Sequence, residues 1–217
     1  MSEKNEALLR AKFIGNKQIS HNLYEHVFLA GSGKKFLAGQ YQSIISAQQK
    51  KFGPFSILST PDQLPTIRFL SRTKLEITEG EFCTLTPPVG NMTIQQSELS
   101  SSSKHKQKFI FIAGGTGIAP FISLAQNHPD HDIEIYWSIK SRSDEILIET
   151  CLSEFPEEKL KKHLYNDENL LEFFSDIPIN KEAIYYLAGP YPLVDKLGQF
   201  LLEKNLTQLI SDMKKLS

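Results

Sequence analysis

Gly114-Gly115-Thr116-Gly117 stands directly after the apolar run Phe109-Ile110-Phe111-Ile112-Ala113 and directly before Ile118-Ala119-Pro120. Glycines at a strand-to-helix turn let backbone come close to a ligand. The helix beyond offers unpaired N–H groups and the positive end of its dipole to a phosphate. Gly114, Gly115, Thr116 and Gly117 are therefore candidates for holding the pyrophosphate of a nucleotide. The stretch is not G-x-G-x-x-G, and no Lys-Ser/Thr follows as a P-loop requires, so by itself it is compatible with a plain connection. A second strand end carries the same chemistry. Ile184-Tyr185-Tyr186-Leu187-Ala188 runs into Gly189-Pro190, and Leu193, Leu197, Phe200 and Leu201 then share one helical face. Two glycine-bearing strand ends in one open sheet are what a crevice at the carboxyl edge needs.

The elements that must position these turns follow from the pattern. From residue 108 strand and helix alternate: strand 109–113, helix 118–126, strand 133–137, helix 145–155, a third strand at 160–165, strand 184–188 and helix 193–204. This spacing predicts a doubly wound parallel sheet. In the helix at 145–155, Ile148, Leu152 and Phe155 are expected to point inward. Before about residue 94 the texture is different. Short β-like runs at 23–29, 41–45, 55–58, 66–70 and 82–85 are punctuated by Gly39, Gly53-Pro54, Pro61-Asp62, Glu79-Gly80 and Pro87-Pro88. Short strands at this spacing predict a small antiparallel β-barrel. Residues 100–106, four serines followed by Lys104-His105-Lys106, read as a linker or exposed loop. The expected organisation is a barrel over 1–103 and an α/β nucleotide-binding domain over 104–217.

Composition narrows the function. The 217 residues carry 24 Lys and Arg against 25 Asp and Glu, which gives no global electrostatic case for nucleic acid. No apolar run approaches the roughly 20 residues of a membrane span. The charged start Met1-Ser2-Glu3-Lys4 does not read as a signal peptide, so a cytoplasmic protein is expected. Cys83 and Cys151 cannot build a four-cysteine zinc or iron–sulfur site and are expected to be reduced and buried. His128 and His131 flank a loop without carboxylate or cysteine partners at ligand spacing, so no metal is expected.

Several motifs, in order over nearly the whole chain, resemble those of the ferredoxin–NADP reductase superfamily, and within it the bacterial NAD(P)H-flavin reductases. Phe36-Leu37-Ala38-Gly39-Gln40-Tyr41 resembles F-x-x-G-Q-Y. Gly53-Pro54-Phe55-Ser56-Ile57-Leu58-Ser59 resembles the flavin-binding R-x-[YF]-S-x-x-S. Gly80-Glu81 and Pro87-Pro88-Val89-Gly90 resemble the later G-D and G-P-x-G turns. The Gly114–Pro120 stretch is similar to the nicotinamide-nucleotide motif, and Ala188-Gly189-Pro190 to its C-G-P motif. The resemblance implies hydride transfer from NADH or NADPH to FAD or FMN, with no metal, nucleophile or charged base. It implies that Ser56 hydrogen-bonds near flavin N5 as the catalytic side chain. It further implies that Pro54, Phe55, Ser56 and Ile57 bind the ring edge, that Thr116 and its glycines hold pyrophosphate, and that Gly189 and Pro190 leave room for nicotinamide.

The chain departs from that pattern at four places. The motif arginine is Gly53, which removes a bidentate phosphate donor. After the strand at 66–70, Ser71-Arg72-Thr73-Lys74 leads almost directly to Gly80-Glu81, where the family carries a phosphate-binding loop. The motif cysteine is Ala188, and the C-terminal residues, Asp212 to Ser217, hold no aromatic to stack on flavin. Lys50, Lys51, Arg72 and Lys74 are the cations at hand for a flavin phosphate. Three readings follow: a reductase that takes flavin as a loosely held substrate, an FAD-containing reductase component serving a protein electron acceptor, and a flavin-free relic that binds nucleotide or a partner. Lys140, Ser141 and Arg142 read equally as a 2′-phosphate site and as a solvated loop. Trp137 is expected in the core, and of Tyr185 and Tyr186 one is expected in the core and one near the cleft.

Overall fold

The computed structural model describes residues 8–31, 35–94, 107–153, 155–164 and 170–212. Its first part is a six-stranded antiparallel sheet of β1 (Leu9–Ser20), β2 (Leu23–Ala30), β3 (Tyr41–Ile45), β4 (Lys51–Ser56), β5 (Thr66–Ser71) and β6 (Phe82–Leu85), in the order β4-β3-β6-β1-β2-β5. A bridge between Ile57 and Phe69 brings the two edges together and closes the barrel. Alternation builds it: Leu9, Ala11 and Phe13 of β1 face the inside with Phe28, Ile44, Ile67, Phe69 and Leu85. Strand β1 was not among the expected runs, and β4 begins at Lys51 rather than at 55.

The second part is a parallel sheet of β7 (Lys108–Gly114), β8 (Asp132–Ile139), β9 (Leu160–Leu164), β10 (Ile184–Ala188) and β11 (Leu209–Ile210), ordered β11-β10-β7-β8-β9. Helices α1 (Ala119–Asn127) and α2 (Ile146–Cys151) follow β7 and β8, α3 (Leu170–Ser175) follows β9 and α4 (Tyr191–Glu203) follows β10. Strand β10, and β7 beyond Lys108, carry no charged residue because both faces are covered. Phe109, Phe111, Ile135, Trp137 and Tyr186 pack in one cluster with Phe121 and Ile122 of α1. Ile110, Ile112, Tyr136 and Tyr185 pack on the other face with Val194, Leu197 and Leu201 of α4. Tyr185 and Tyr186 are therefore both fully buried, against the expectation that one nears the cleft. Helix α2 stops at Cys151, short of 155. Leu152 leaves helical geometry (φ −129°), and Pro156 follows four residues on. The expected boundary at 103/104 and the serine-rich linker fall outside the described residues.

Helix α1 joins the two parts. Its cluster includes Leu23, Ala38, Leu58, Leu70 and Met92 of the barrel. The buried Ser123 hydroxyl donates to the Ser59 carbonyl at 2.8 Å, and the Tyr186 hydroxyl donates to the Thr93 carbonyl at 3.1 Å. Both cysteines are free and buried. Burial, with Glu81 nearby, pushes the Cys83 thiol up to about 11, which leaves it inert at neutral pH. Among the described residues no helix is long and apolar enough to cross a membrane.

A buried histidine makes barrel stability depend on pH. His26 is fully buried, its Nδ1 2.7 Å from Asn16 Oδ1 and its Nε2 2.7 Å from Ser71 Oγ. The Asn16 amide exchanges two hydrogen bonds with the Leu75 backbone, which fixes its oxygen as acceptor and assigns the His26 proton to Nδ1. Burial lowers the imidazole from 6.5 to about 4. Between those values the unfolded chain binds a proton that the native one does not. The His26 contribution is thus fully present above pH 6.5 and is lost as the pH falls toward 4. A loss of roughly 3 kcal/mol over this window is expected from the shift. Urea melts of wild type and His26→Gln from neutral to acid pH measure it. The variant should show the shallower fall, and parallel curves would remove His26 from the account.

Candidate functional site

A cavity of about 670 Å³ opens at the carboxyl edge of the parallel sheet. Its floor is Gly114, Gly115 and Thr116 at the end of β7, its sides are Ser138, Lys140 and Ser141 at the end of β8, and Pro190 and Leu193 beyond β10. This is where the strand order reverses, the place open α/β sheets offer to a ligand. Ser20 and Arg72 of the barrel complete the wall, so the cavity lies between the two parts of the chain.

The glycines have separate duties. Gly115 adopts φ +54°, the left-handed region that favours glycine. A 3₁₀ turn over Gly115–Ile118 then leads into α1, which Pro120 starts with its preset φ. Gly117 is excluded from carrying a side chain by packing: a Cβ there would lie 2.5 Å from the Ala188 carbonyl oxygen. The two glycine-bearing strand ends therefore touch each other, while a Gly115 side chain would meet that of Arg72 from the cavity wall. Trp137, buried as expected, does more than fill the core. Its indole N–H donates to the Gly115 carbonyl at 2.9 Å and fixes the turn from beneath.

Arg72 reaches from the barrel to the glycine turn. Its guanidinium lies 3.3 Å from where a Gly115 Cβ would stand, over the turn of the nucleotide-type domain. Asp144 holds it there. This carboxylate, 2% exposed, is 2.8 Å from Arg72 Nη2 and accepts the Ser20 hydroxyl at 2.7 Å. Both partners come from the barrel, so one buried charge ties barrel to sheet. The Arg72–Asp144 approach is an ion pair rather than an aligned hydrogen bond. Nothing in the order of residues announces that positions 72, 115 and 144 meet.

The flavin-type residues form a second group. Ser56 and Tyr41 are cross-strand partners on β4 and β3, half-exposed on one face, and among the described residues the Ser56 hydroxyl has no hydrogen-bond partner. Pro54 is exposed. Phe55 turns the other way: its ring packs toward the barrel core, 6.1 Å from His26 and 6.3 Å from Phe69. The Ile57 side chain is in that core, and its N–H is taken by the Gln40 carbonyl at 2.9 Å. Gly53 (φ +91°) lies under the Phe55 ring, 2.9 Å from a would-be Cβ, which leaves no room for an arginine side chain. Of the cations at hand for a flavin phosphate, Lys50 pairs with Glu76 at 2.6 Å and Arg72 with Asp144. Lys51 and Lys74 are exposed. The described residues fit the ring of a flavin, through a hydroxyl beside an aromatic, and among them no fixed clamp for its phosphate is present.

Comparison with known proteins bears on the fold. No family model matches the chain. It is 25% identical over 223 aligned positions to the electron transfer subunit of dihydroorotate dehydrogenase B (NAD(+)) from Caldanaerobacter subterraneus, across 96% of this chain and 83% of that protein. Among solved structures it is similar to the Amycolatopsis cytochrome P450 reductase GcoB, with a TM-score of 0.78 at 16% identity over 97% of this chain and 71% of that one. It is also similar to a ferredoxin NADP+ reductase from Neisseria gonorrhoeae solved with FAD and NADP, with a TM-score of 0.71 at 14% identity over 95% and 98%. The barrel followed by a doubly wound sheet is the fold these solved structures share with this chain.

Proposed function

We propose that the chain is an NAD(P)H-dependent oxidoreductase that passes a hydride from nicotinamide to a flavin held in exchange with solution. The observation that carries this reading is the Gly115 turn at the sheet's reversal point, faced by the Arg72 guanidinium from the barrel that bears Ser56. A bound flavin supplies the two-electron acceptor; the chain's own part is positioning. Gly115 and Thr116 hold the pyrophosphate with Arg72 as its cation, Gly189 and Pro190 leave space for nicotinamide, and Ser56 orients the acceptor. Steady-state oxidation of NADH and NADPH against riboflavin, FMN and FAD tests the proposal. Turnover only with added flavin supports it. A protein that keeps FAD through purification supports the reductase-component reading, with a protein acceptor. Inertness under both conditions leaves only a binding protein.

The missing phosphate clamp sets the expected flavin affinities. Charge-assisted bonds to phosphate are among the strong contacts, and a protein making them separates FMN and FAD from riboflavin. Here the three flavins are expected to bind within about tenfold of one another, or about 1.4 kcal/mol. Little salt dependence is expected, since the cations at hand for a flavin phosphate are paired or exposed. Fluorescence titration at low and high ionic strength measures it. A preference of several hundredfold for FAD would show that a phosphate site exists after all.

Ser56 gives a kinetic expectation. A hydroxyl that acts mostly in the transition state affects kcat more than KM. Ser56→Ala should lower kcat about tenfold, equivalent to about 1.4 kcal/mol, with flavin KM little changed. An unchanged kcat with every flavin would reduce Ser56 to a barrel residue.

A further inference from the structure

We infer that the outer face of the barrel docks on an anionic lipid surface, with Arg10, Lys12 and Lys51 at the headgroups and Phe82, Leu29 and Leu8 in the layer beneath. The inference does not depend on the hydride-transfer reading. The register of the antiparallel sheet assembles this face, because cross-strand partners point the same way. One row across four strands is Lys51, Ile45, Thr84 and Arg10, and a second across three is Phe82, Lys12 and Leu29. Their chain neighbours Leu9, Ala11, Ile44 and Cys83 fill the barrel core, so alternation turns both rows outward. Phe82 is 50% exposed, Leu29 41%, and Leu8, on the same alternation as Arg10, 61%. The Arg10 guanidinium lies 4.0 Å from the centre of the Phe82 ring and joins the two rows. Glu81 is turned to the loop between β3 and β4, where it accepts the Ala47 N–H at 2.9 Å, and Glu79 lies beside Gly15, further along β1. Three cations thus share one face with three exposed apolar side chains, in a chain whose net charge is −1.

The pattern sets the chemistry of the partner. A protein interface has an apolar centre from which lysine is depleted, inside a polar rim. Here Lys12 stands between Phe82 and Leu29, in the middle of the patch. At a bilayer surface that order is favourable. Lys and Arg keep their charged heads at the phosphates, and their stems lie with Phe and Leu at the acyl boundary. The face also leaves the crevice open. It occupies the first half of β1, and Ser20, the residue of that strand in the cavity wall, is roughly 25 Å beyond Lys12 in extended chain.

Vesicle co-sedimentation of the full chain tests the inference. Phosphatidylcholine vesicles with about 30 mol% phosphatidylserine should bind the protein at least about tenfold better than phosphatidylcholine alone, and the advantage should vanish at high salt. Arg10→Glu combined with Lys12→Glu, both at exposed positions, should weaken binding to the anionic vesicles at least about 25-fold, or about fivefold per cation. A thermal melt like that of wild type shows that the double variant is folded. Phe82→Trp puts a reporter in the face. Its emission, as the difference from wild type with its buried Trp137, should shift to the blue when anionic vesicles are added. Glycerophosphoserine, the headgroup without its chains, should not compete. Equal binding to neutral and anionic vesicles, no binding to either, or a double variant that binds like wild type overturns the inference. So does an emission that does not shift, competition by the free headgroup, or tighter binding to a single-stranded oligonucleotide than to the vesicles.

Discussion

Gly115→Val is expected to weaken NAD(P)H binding about 100-fold, or about 2.7 kcal/mol, while flavin binding stays within about twofold of wild type. Two costs act together. The residue sits at φ +54°, a conformation that a β-branched side chain adopts only with strain of about 1–3 kcal/mol. Its side chain would also stand where Arg72 and a pyrophosphate must meet, since Arg72 Nη2 is only 3.3 Å from the new Cβ. Ser56 and Tyr41 lie on the barrel and are untouched, so the two ligands should part company. Calorimetry with NADPH and fluorescence titration with riboflavin on the same folded variant measure both. Equal NADPH affinity in variant and wild type would move the dinucleotide off this turn.

Arg72→Gln should cost about tenfold to 100-fold in NAD(P)H affinity, the range for losing a charge-assisted contact. It should also flatten the salt dependence of nucleotide binding, because the cation is lost at the anion. The substitution leaves the buried Asp144 with a neutral donor, so a fall in stability of about 1–3 kcal/mol accompanies it. Thermal melts identify that part, and affinities are compared where both proteins are folded. Riboflavin affinity should be unchanged. A variant that loses FMN and FAD binding but keeps NADPH would return Arg72 to the flavin phosphate.

The residues of the sequence that were most legible are those whose environment is set locally. Strands β7 and β10 read directly, because a central parallel strand buried on both faces is a nearly continuous apolar run and both lead into glycine. The barrel's order of short strands was legible in outline. Strand β1 was not, because Arg10 and Lys12 interrupt Leu9, Ala11 and Phe13, and the alternation only shows once its partners are known. The two tyrosines of β10 were misassigned for the same reason in reverse: alternation assigns faces, but both faces of that strand are covered. At the site, the glycine turn was visible as a glycine cluster behind an apolar run, whereas Ser56 was singled out only by the family resemblance. The meeting of Arg72, Asp144 and Ser20 over Gly115 was not, since it joins positions up to 124 residues apart and exists only through the packing of α1 on the barrel. The same packing decides what the cations do. Lys50 and Arg72, candidates for a flavin phosphate on sequence grounds, are each taken by a carboxylate, and Lys140 is left facing the cavity.

Anaerobic mixing of the purified, dialysed protein with NADPH and riboflavin measures hydride transfer from nicotinamide to an exchangeable flavin most directly. The protein should be colourless before mixing. The absorbance of reduced nicotinamide and of oxidised flavin should then fall together, one for one, at a rate proportional to protein concentration, and FMN should replace riboflavin with little change. A folded protein that accelerates neither loss with riboflavin, FMN or FAD, from NADPH or from NADH, would contradict the account.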